Sequence, residues 1–301
     1  AVARLGGTMI LVTGPTGNTG KQVLDGLRAR GIPVRAMLRS QARAAELAAQ
    51  GIDTVLGDFE EPDTLRRALG GVDKAFLVCT PDERLVRCET NFIAAACDAG
   101  VRHIVKMGAY GASLDAASPN LRMHAQVEQA LVASGLAYTI VRPHGFMQTW
   151  FWMSAPLVMQ QGILSYPAGD GPIPLIDVRD VGPALIRALT EPGFENRAFN
   201  LTGPQAIRPS EMAQILTQAL GRPIGYVDSD LDGLNLIMRQ MCVPDAPREH
   251  VLWAFREQRA GRMNYTSRDH EAFGLRLHSF ADFAADLATG LTGTATSNFS
   301  R

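Results

Sequence analysis

Three glycines at a spacing of three, Gly14-x-x-Gly17-x-x-Gly20, follow directly on the apolar run Met9–Val12. Glycine permits the tight turn from a strand into a helix and lets a ligand approach the backbone closely. The first N–H groups of that helix, together with its dipole, favour an anion. Taken alone the triplet fits a plain tight turn as well as a phosphate site. The flanking sequence decides between them. Lys21–Arg30 reads as a helix with Val23, Leu24 and Leu27 inward and Gly31 as its stop, and Pro33–Leu38 reads as a second strand. In this βαβ setting Gly14, Thr16, Gly17, Asn18, Thr19 and Gly20 are expected to hold a dinucleotide pyrophosphate.

Arg39 lies 19 residues after Gly20, at the tip of the second strand, with Arg43 beyond it and no carboxylate before Glu46. An acidic residue near this place holds a ribose 2′-OH, whereas an arginine accommodates a 2′-phosphate. The expected cofactor is therefore NADP rather than NAD. Asp58 either accepts from the adenine amino group, with Phe59 beside the ring, or serves the start of the next helix. Cys79, Thr80 and Pro81 form a chain reversal after an apolar strand, and are expected to face the middle of the cofactor.

The elements that must position these residues alternate. Strands are expected at Asp53–Leu56, Lys74–Cys79, His103–Met107 and Tyr138–Arg142. Helices are expected at Gln41–Gln50, Pro62–Leu69, Leu85–Ala99 and His124–Ser134. Lys74–Cys79 reads as a strand buried on both faces. This order predicts an α/β fold, a doubly wound parallel sheet of the Rossmann type, with ligands beyond the carboxyl ends of the strands. The dinucleotide domain is expected over 1–145 and a smaller α+β substrate region over 146–301, with 173–202 returning to the first. In the second half Asp180–Thr190 and the stretch from Ser210 to Leu220 read as helices, and Arg197–Leu201 as a strand.

Composition bounds the rest. The 301 residues are 46% hydrophobic and 20% charged, with a formal net charge of −1, so no general positive field recruits nucleic acid or an anionic membrane. The four cysteines show no C-x-x-C and no disulfide framework. Cys79 and Cys97 are expected to be buried thiols, which fits a reducing cytoplasm. Ala1–Thr8 lacks the apolar core of a signal peptide, no stretch approaches the length of a membrane span, and the tail Thr289–Arg301 is expected to fray. No metal-ligand spacing occurs, and the chain is expected to be a monomer or a homodimer.

The chain resembles the atypical short-chain dehydrogenases of the NmrA-like family. The resemblance rests on Gly14–Gly20, Val34–Arg39, Gly57-Asp58, His124-x-x-x-Glu128, Tyr138–Pro143 running into Gly145-Phe-Met, Ile176–Val181 and Phe199–Pro204. Together these cover roughly residues 9 to 220. The family includes quinone, azo-dye and triphenylmethane-dye reductases. It implies an NADPH-dependent oxidoreductase, with Pro143 beside the cofactor.

One departure bears on mechanism. The wider superfamily uses Tyr-x-x-x-Lys, whose tyrosine protonates the substrate. Alignment on Glu128 puts Asn120 at the tyrosine place and His124 at the lysine place. The superfamily serine falls in Lys106–Ala109, which has no hydroxyl. Tyr110 is a candidate substitute acid or a surface turn residue, and His124 a proton relay or a ribose ligand. Hydride delivery without the usual acid suits an acceptor that is already electron-poor, such as a quinone or azo compound. Aromatic faces suit that ligand. His144, Phe146, Met147 and Trp150, with Phe151, Trp152, Met153, Trp253 and Phe255, are expected to divide between its binding site and ordinary core. Asp177 and Asp180 resemble an acid pair, but in related folds this segment caps a helix. Two rivals remain: an NADP-binding redox sensor without turnover, as some NmrA-like proteins are, and a ketoreductase tailoring enzyme of a biosynthetic pathway.

Overall fold

The computed structural model describes residues 8–290, so the expectations for the chain ends fall largely outside the described residues. The chain divides into two compact units. The first comprises residues up to Leu114, Met123–Arg142 and Gly182–Phe199. The second comprises Asp115–Arg122, Pro143–Val181 and the chain from Asn200 onward. The segment that returns to the first unit is thus 182–199, and the eight residues from Asp115 to Arg122 group with the second.

In the first unit strands and helices alternate as β1 (Ile10–Val12), α1 (Asn18–Ala29), β2 (Val34–Leu38), α2 (Gln41–Ala48), β3 (Asp53–Leu56), α3 (Pro62–Leu69), β4 (Lys74–Leu77), α4 (Leu85–Ala99) and β5 (His103–Met107). Then come α5 (Pro119–Ala133), β6 (Ala137–Pro143), and, after the second unit's first long segment, α7 (Val178–Thr190) and β8 (Arg197–Leu201). The sheet order is β3-β2-β1-β4-β5-β6-β8. β1 lies parallel between β2 and β4, Val12 facing Ala36 on one side and Phe76 on the other, so the strand order reverses there. A crevice opens at such a reversal, beyond the carboxyl ends of β1 and β4.

Burial follows position in the sheet. All three residues of β1 and Ala75, Phe76 and Leu77 of β4 are buried, as central parallel strands covered on both faces require. Edge strand β3 leaves Asp53 and Leu56 exposed. One core joins Leu11, Leu77 and Ile104 of the sheet to Leu65, Leu69, Phe92, Ala96, Val127 and Leu131 of the helices. Helix α1 starts at Asn18, three residues before the expected start, because Gly17 is its N-cap. α5 starts at Pro119 rather than His124, and proline suits a first turn that needs no N–H donor. Asn120 is therefore helical.

His103 illustrates how the buried end of the sheet is wired. Its Nε2 donates to Thr139 Oγ1 at 2.9 Å, and that hydroxyl donates to Phe194 O at 2.8 Å. Burial, aided by the nearby Lys74 charge, holds the imidazole down at about 4, from 6.5. The unfolded chain then binds one more proton between those values, so this part of the stability is full above about pH 6.5 and is lost as the pH falls to about 4. Between pH 7 and 5 the loss is about 2 kcal/mol. Urea unfolding at both pH values should show His103→Gln with a correspondingly flatter pH dependence; an unchanged slope would contradict this assignment.

The second unit holds the helices α6 (Met147–Gln161), α8 (Pro209–Leu220), α9 (Leu231–Gln240), α10 (Asp245–Arg259) and α11 (Phe280–Ala288). It also holds the parallel pair β7 (Ile163–Tyr166) and β9 (Gly225–Asp228). Its core gathers Met147, Phe151, Val158, Leu216, Phe255, Phe280 and Phe283. Among the described residues no helix is long and apolar enough to cross a membrane.

Candidate active site

The glycine loop is built by two steric demands. Gly14 has φ +56°, a left-handed conformation that favours glycine, and a Cβ on Gly20 would lie 2.0 Å from Gly14 O. The loop is strapped to β4 by Thr13, whose hydroxyl donates to Val78 O at 2.9 Å and accepts from Val78 N at 2.8 Å. Helix α1 then begins without a side-chain cap. Gly14 and Thr16 are exposed, Gly17 and Asn18 half-buried, and Thr19 and Gly20 buried.

At the neighbouring strand tip Arg39 is exposed and has no hydrogen-bond or ion-pair partner among the described residues, whereas Arg43 is paired to Glu46 at 2.9 Å. Ser40 caps α2 by accepting from Arg43 N. Asp58 is half-buried; its Oδ1 accepts from Glu60 N at 2.9 Å, and Oδ2 has no partner among the described residues. Both sequence readings of Asp58 therefore have a carboxylate oxygen to draw on. Phe59 stacks tilted against Phe92, its carbonyl held by Asn91. Thr80 and Pro81 are exposed after β4. Cys79 beside them is half-buried, and burial, reinforced by Glu89, pushes its thiol up to about 12. It is a poor nucleophile. Cys97, expected to be buried, is exposed on α4, because Ala95 and Ala96 occupy the inward positions of that turn.

The residues at the place of the missing acid are more unusual. His124 is buried, and its Nδ1 lies 3.3 Å from Lys106 Nζ. Lys106 is itself fully buried and ion-paired to Glu89 at 2.7 Å. One turn before His124 on α5, Asn120 is only 5% exposed and its Oδ1 has no partner among the described residues. A buried, unsatisfied amide oxygen is costly unless a ligand or water completes it. Tyr110 lies half-exposed in the turn after β5. Glu128 accepts from Arg142 Nε with both oxygens, at 3.2 and 3.1 Å, so two of the motifs that carry the resemblance bind each other. Pro143 ends β6 and is buried.

In the second unit Met147 is 2% exposed and belongs to the core, and Phe151 beside it does too. The half-buried members are His144, Phe146, Trp150, Trp152 and Trp253. Trp150 packs edge-on to Phe255, with centroids 4.5 Å apart, and its carbonyl accepts from Tyr166 Oη at 2.6 Å. Met153 is exposed. His144 meets Tyr265 edge-on, and His250 stacks on Trp253 while its Nδ1 contacts Ser118 Oγ at 2.9 Å. Burial holds both imidazoles down at about 4, so both are neutral at physiological pH. Asp177 and Asp180 are structural. Asp177 accepts from the backbone N and guanidinium of Arg179 and from Gln148, and Asp180 is bonded to His278. Among the described residues no group of three His, Cys, Asp or Glu side chains could hold a metal.

No motif in the sequence assigns a role to Lys106, Glu89, Ser118, His250 or Tyr265. Glu89 had a signal, since it falls among Leu85, Cys88, Phe92, Ile93 and Ala96, all buried on one stripe of α4.

A family model described as the NmrA-like family matches residues 7–261. The chain belongs to the NmrA-like family. This NmrA-like chain is 38% identical to the NAD(P)H azoreductase of Xenophilus azovorans, with 92% of the chain and 96% of that protein aligned. It is 31% identical to quinone oxidoreductase 2 of Escherichia coli, over 79% of the chain and 83% of that protein. Among solved structures it is similar to the Citrobacter sp. triphenylmethane reductase complexed with NADP(H). There the TM-score is 0.83 at 25% identity, over 93% of the chain and 99% of that one.

Proposed function

We propose that this NmrA-like protein is an NADPH-dependent oxidoreductase that reduces a flat, conjugated, electron-poor acceptor of the quinone or azo type. The observation that carries the reading is the pairing of a phosphate-shaped loop with an altered acid position. The turn at Gly14–Gly20 fits a pyrophosphate loop, since Gly14 is left-handed and Gly20 packs against Gly14 O with no room for a Cβ. Arg39, exposed and unpaired among the described residues, fits a 2′-phosphate. Family relatives named azoreductase and quinone oxidoreductase support the same activity.

Within this reading Gly14, Thr16, Gly17, Asn18, Thr19 and Gly20 bind the pyrophosphate. Arg39 binds the 2′-phosphate, Asp58 and Phe59 hold the adenine, and Cys79, Thr80, Pro81 and Pro143 border the middle of the cofactor. The bound NADPH supplies a hydride. Asn120 offers its amide to the acceptor, and His124 offers a proton where the superfamily has a lysine. His144, Phe146 and Trp150 give the acceptor aromatic and neutral polar contacts. Met147 shapes this surface from beneath. Tyr110 is assigned to the turn rather than to chemistry. A carbonyl activated only by a strong acid is not reduced, because no Tyr-x-x-x-Lys pair is present. With four free cysteines and a net charge of −1, we place the protein in the cytoplasm as a monomer or homodimer, without a nucleic-acid partner.

The test is absorbance of the reduced cofactor with a panel of quinones, azo dyes and simple ketones. Oxidation is expected with quinones and azo dyes only. His124→Ala and Asn120→Ala should each lower quinone turnover by about 100-fold or more, the lower end of the range for a lost proton donor. Tight NADPH binding with no oxidation by any acceptor would replace this reading with that of a redox sensor.

A further inference from the structure

Glu89 and Lys106 occupy positions where the fold asks for apolar side chains. Glu89 lies on the inward stripe of α4 and Lys106 in the middle of β5, between Val105 and Met107. Their side chains are 1% and 0% exposed, and Nζ lies 2.7 Å from Oε2. Burial pushes the Glu89 carboxyl up, and the Lys106 charge opposes it. A second ion pair, Glu128–Arg142, lies on the adjoining α5 and β6. A buried pair of this kind adds little stability, and apolar replacement of both members is often neutral or favourable. Lys106 has two further contacts. It donates to Met107 O at 3.1 Å and reaches His124 Nδ1 at 3.3 Å.

We propose that Glu89 and Lys106 are positioning residues that set His124 as a proton donor for acceptors whose reduction leaves an anion. This inference rests on the reductase reading above. An ammonium donates and cannot accept, so His124 Nδ1 is the acceptor and the ring proton sits on Nε2. A reduced quinone or azo compound carries a new electron pair on oxygen or nitrogen. The Nε2–H bond breaks as an O–H or N–H bond forms on that atom. In step, a Lys106 Nζ–H bond breaks and an Nδ1–H bond forms, so the imidazole stays neutral throughout. Lys106 is left as an amine beside Glu89. Water then returns a proton to Nε2, its hydroxide leaving to solvent, while Nδ1 hands its proton back to Lys106. Glu89, 2.7 Å from Nζ, holds the lysine oriented toward the ring between turnovers.

Acceptor chemistry provides the test. A cationic triarylmethane dye becomes neutral on taking up a hydride and needs no proton, whereas a quinone needs one. Glu89→Leu combined with Lys106→Met removes both charges at similar volume, so the variant is expected to fold and to keep its thermal stability. Its kcat on a quinone should fall about 100-fold, with the NADPH KM and the rate on the cationic dye unchanged. Equal losses on both acceptors, or no loss on the quinone, would overturn the proposal. A wild-type enzyme that reduced neither acceptor would instead refute the reductase reading. In the ligand-free protein, ¹⁵N NMR should place the His124 proton on Nε2, with Nδ1 shifted as a bonded acceptor and returning to a free imine position in the double variant. A proton on Nδ1 in the wild type would overturn the proposal without any assay of activity.

Discussion

Gly20→Ala is expected to abolish measurable NADPH binding. The added Cβ would sit 2.0 Å from Gly14 O and 2.7 Å from Gly14 C, so either the loop or the first turn of α1 must move by an ångström or more. The loop has little room to move, because Gly14 is already left-handed and Thr13 is strapped to Val78 through both of that residue's backbone groups. The displaced groups are the N–H donors that would face the pyrophosphate. Losing two charge-assisted hydrogen bonds at about 1.5–3 kcal/mol each lowers affinity by at least about 100-fold. Overpacking adds about 1–3 kcal/mol of lost stability, visible as a lower Tm. Gly225→Ala, outside the loop, is the control. Nothing lies within 4 Å of its added Cβ, so NADPH binding followed by cofactor fluorescence should survive there and vanish in Gly20→Ala. Equal affinities for the two variants would contradict the assignment of the loop.

Arg39→Ala should separate the two nicotinamide cofactors. Arg39 stands just past the carboxyl tip of β2, exposed, with no hydrogen-bond or ion-pair partner among the described residues; Arg43 already has Glu46. A guanidinium–phosphate contact is worth about 1.5–3 kcal/mol, so NADPH should bind about 10–100-fold more weakly while NADH is little changed. Equal losses for both cofactors would remove the basis for naming NADP.

Most of the first unit was legible because its signals agree. Strand, glycine loop, helix and second strand follow in the order a doubly wound sheet requires, and the bounds of β3, α3, α4 and β5 match the sequence expectation residue for residue. The second unit was less legible. β7 and β9 have four residues each, too short for periodicity to distinguish strand from loop, and α9 carries no fully buried residue. In the site, glycines and tip residues could be read because their roles follow from backbone geometry. The Glu89–Lys106–His124 cluster could not. Its members lie 17 and 18 residues apart on three elements, and no spacing rule joins them. What sequence does contain is the anomaly of two charges in core phase, a carboxylate on the apolar stripe of α4 and an ammonium inside the run His103–Met107. Met147 is at helical spacing with Trp150, a pattern shared by pocket and core residues, and it is buried in the second unit's core.

The central claim is that this chain passes a hydride from NADPH to a conjugated acceptor without a Tyr-x-x-x-Lys acid. Single-turnover mixing of the protein with NADPH deuterated at the nicotinamide C4 and a quinone tests it most directly. The account predicts loss of reduced-cofactor absorbance that follows quinone reduction one for one, slows with the deuterated cofactor, and does not occur when a simple ketone replaces the quinone. Saturated NADPH that persists unoxidised in the presence of the quinone would contradict it.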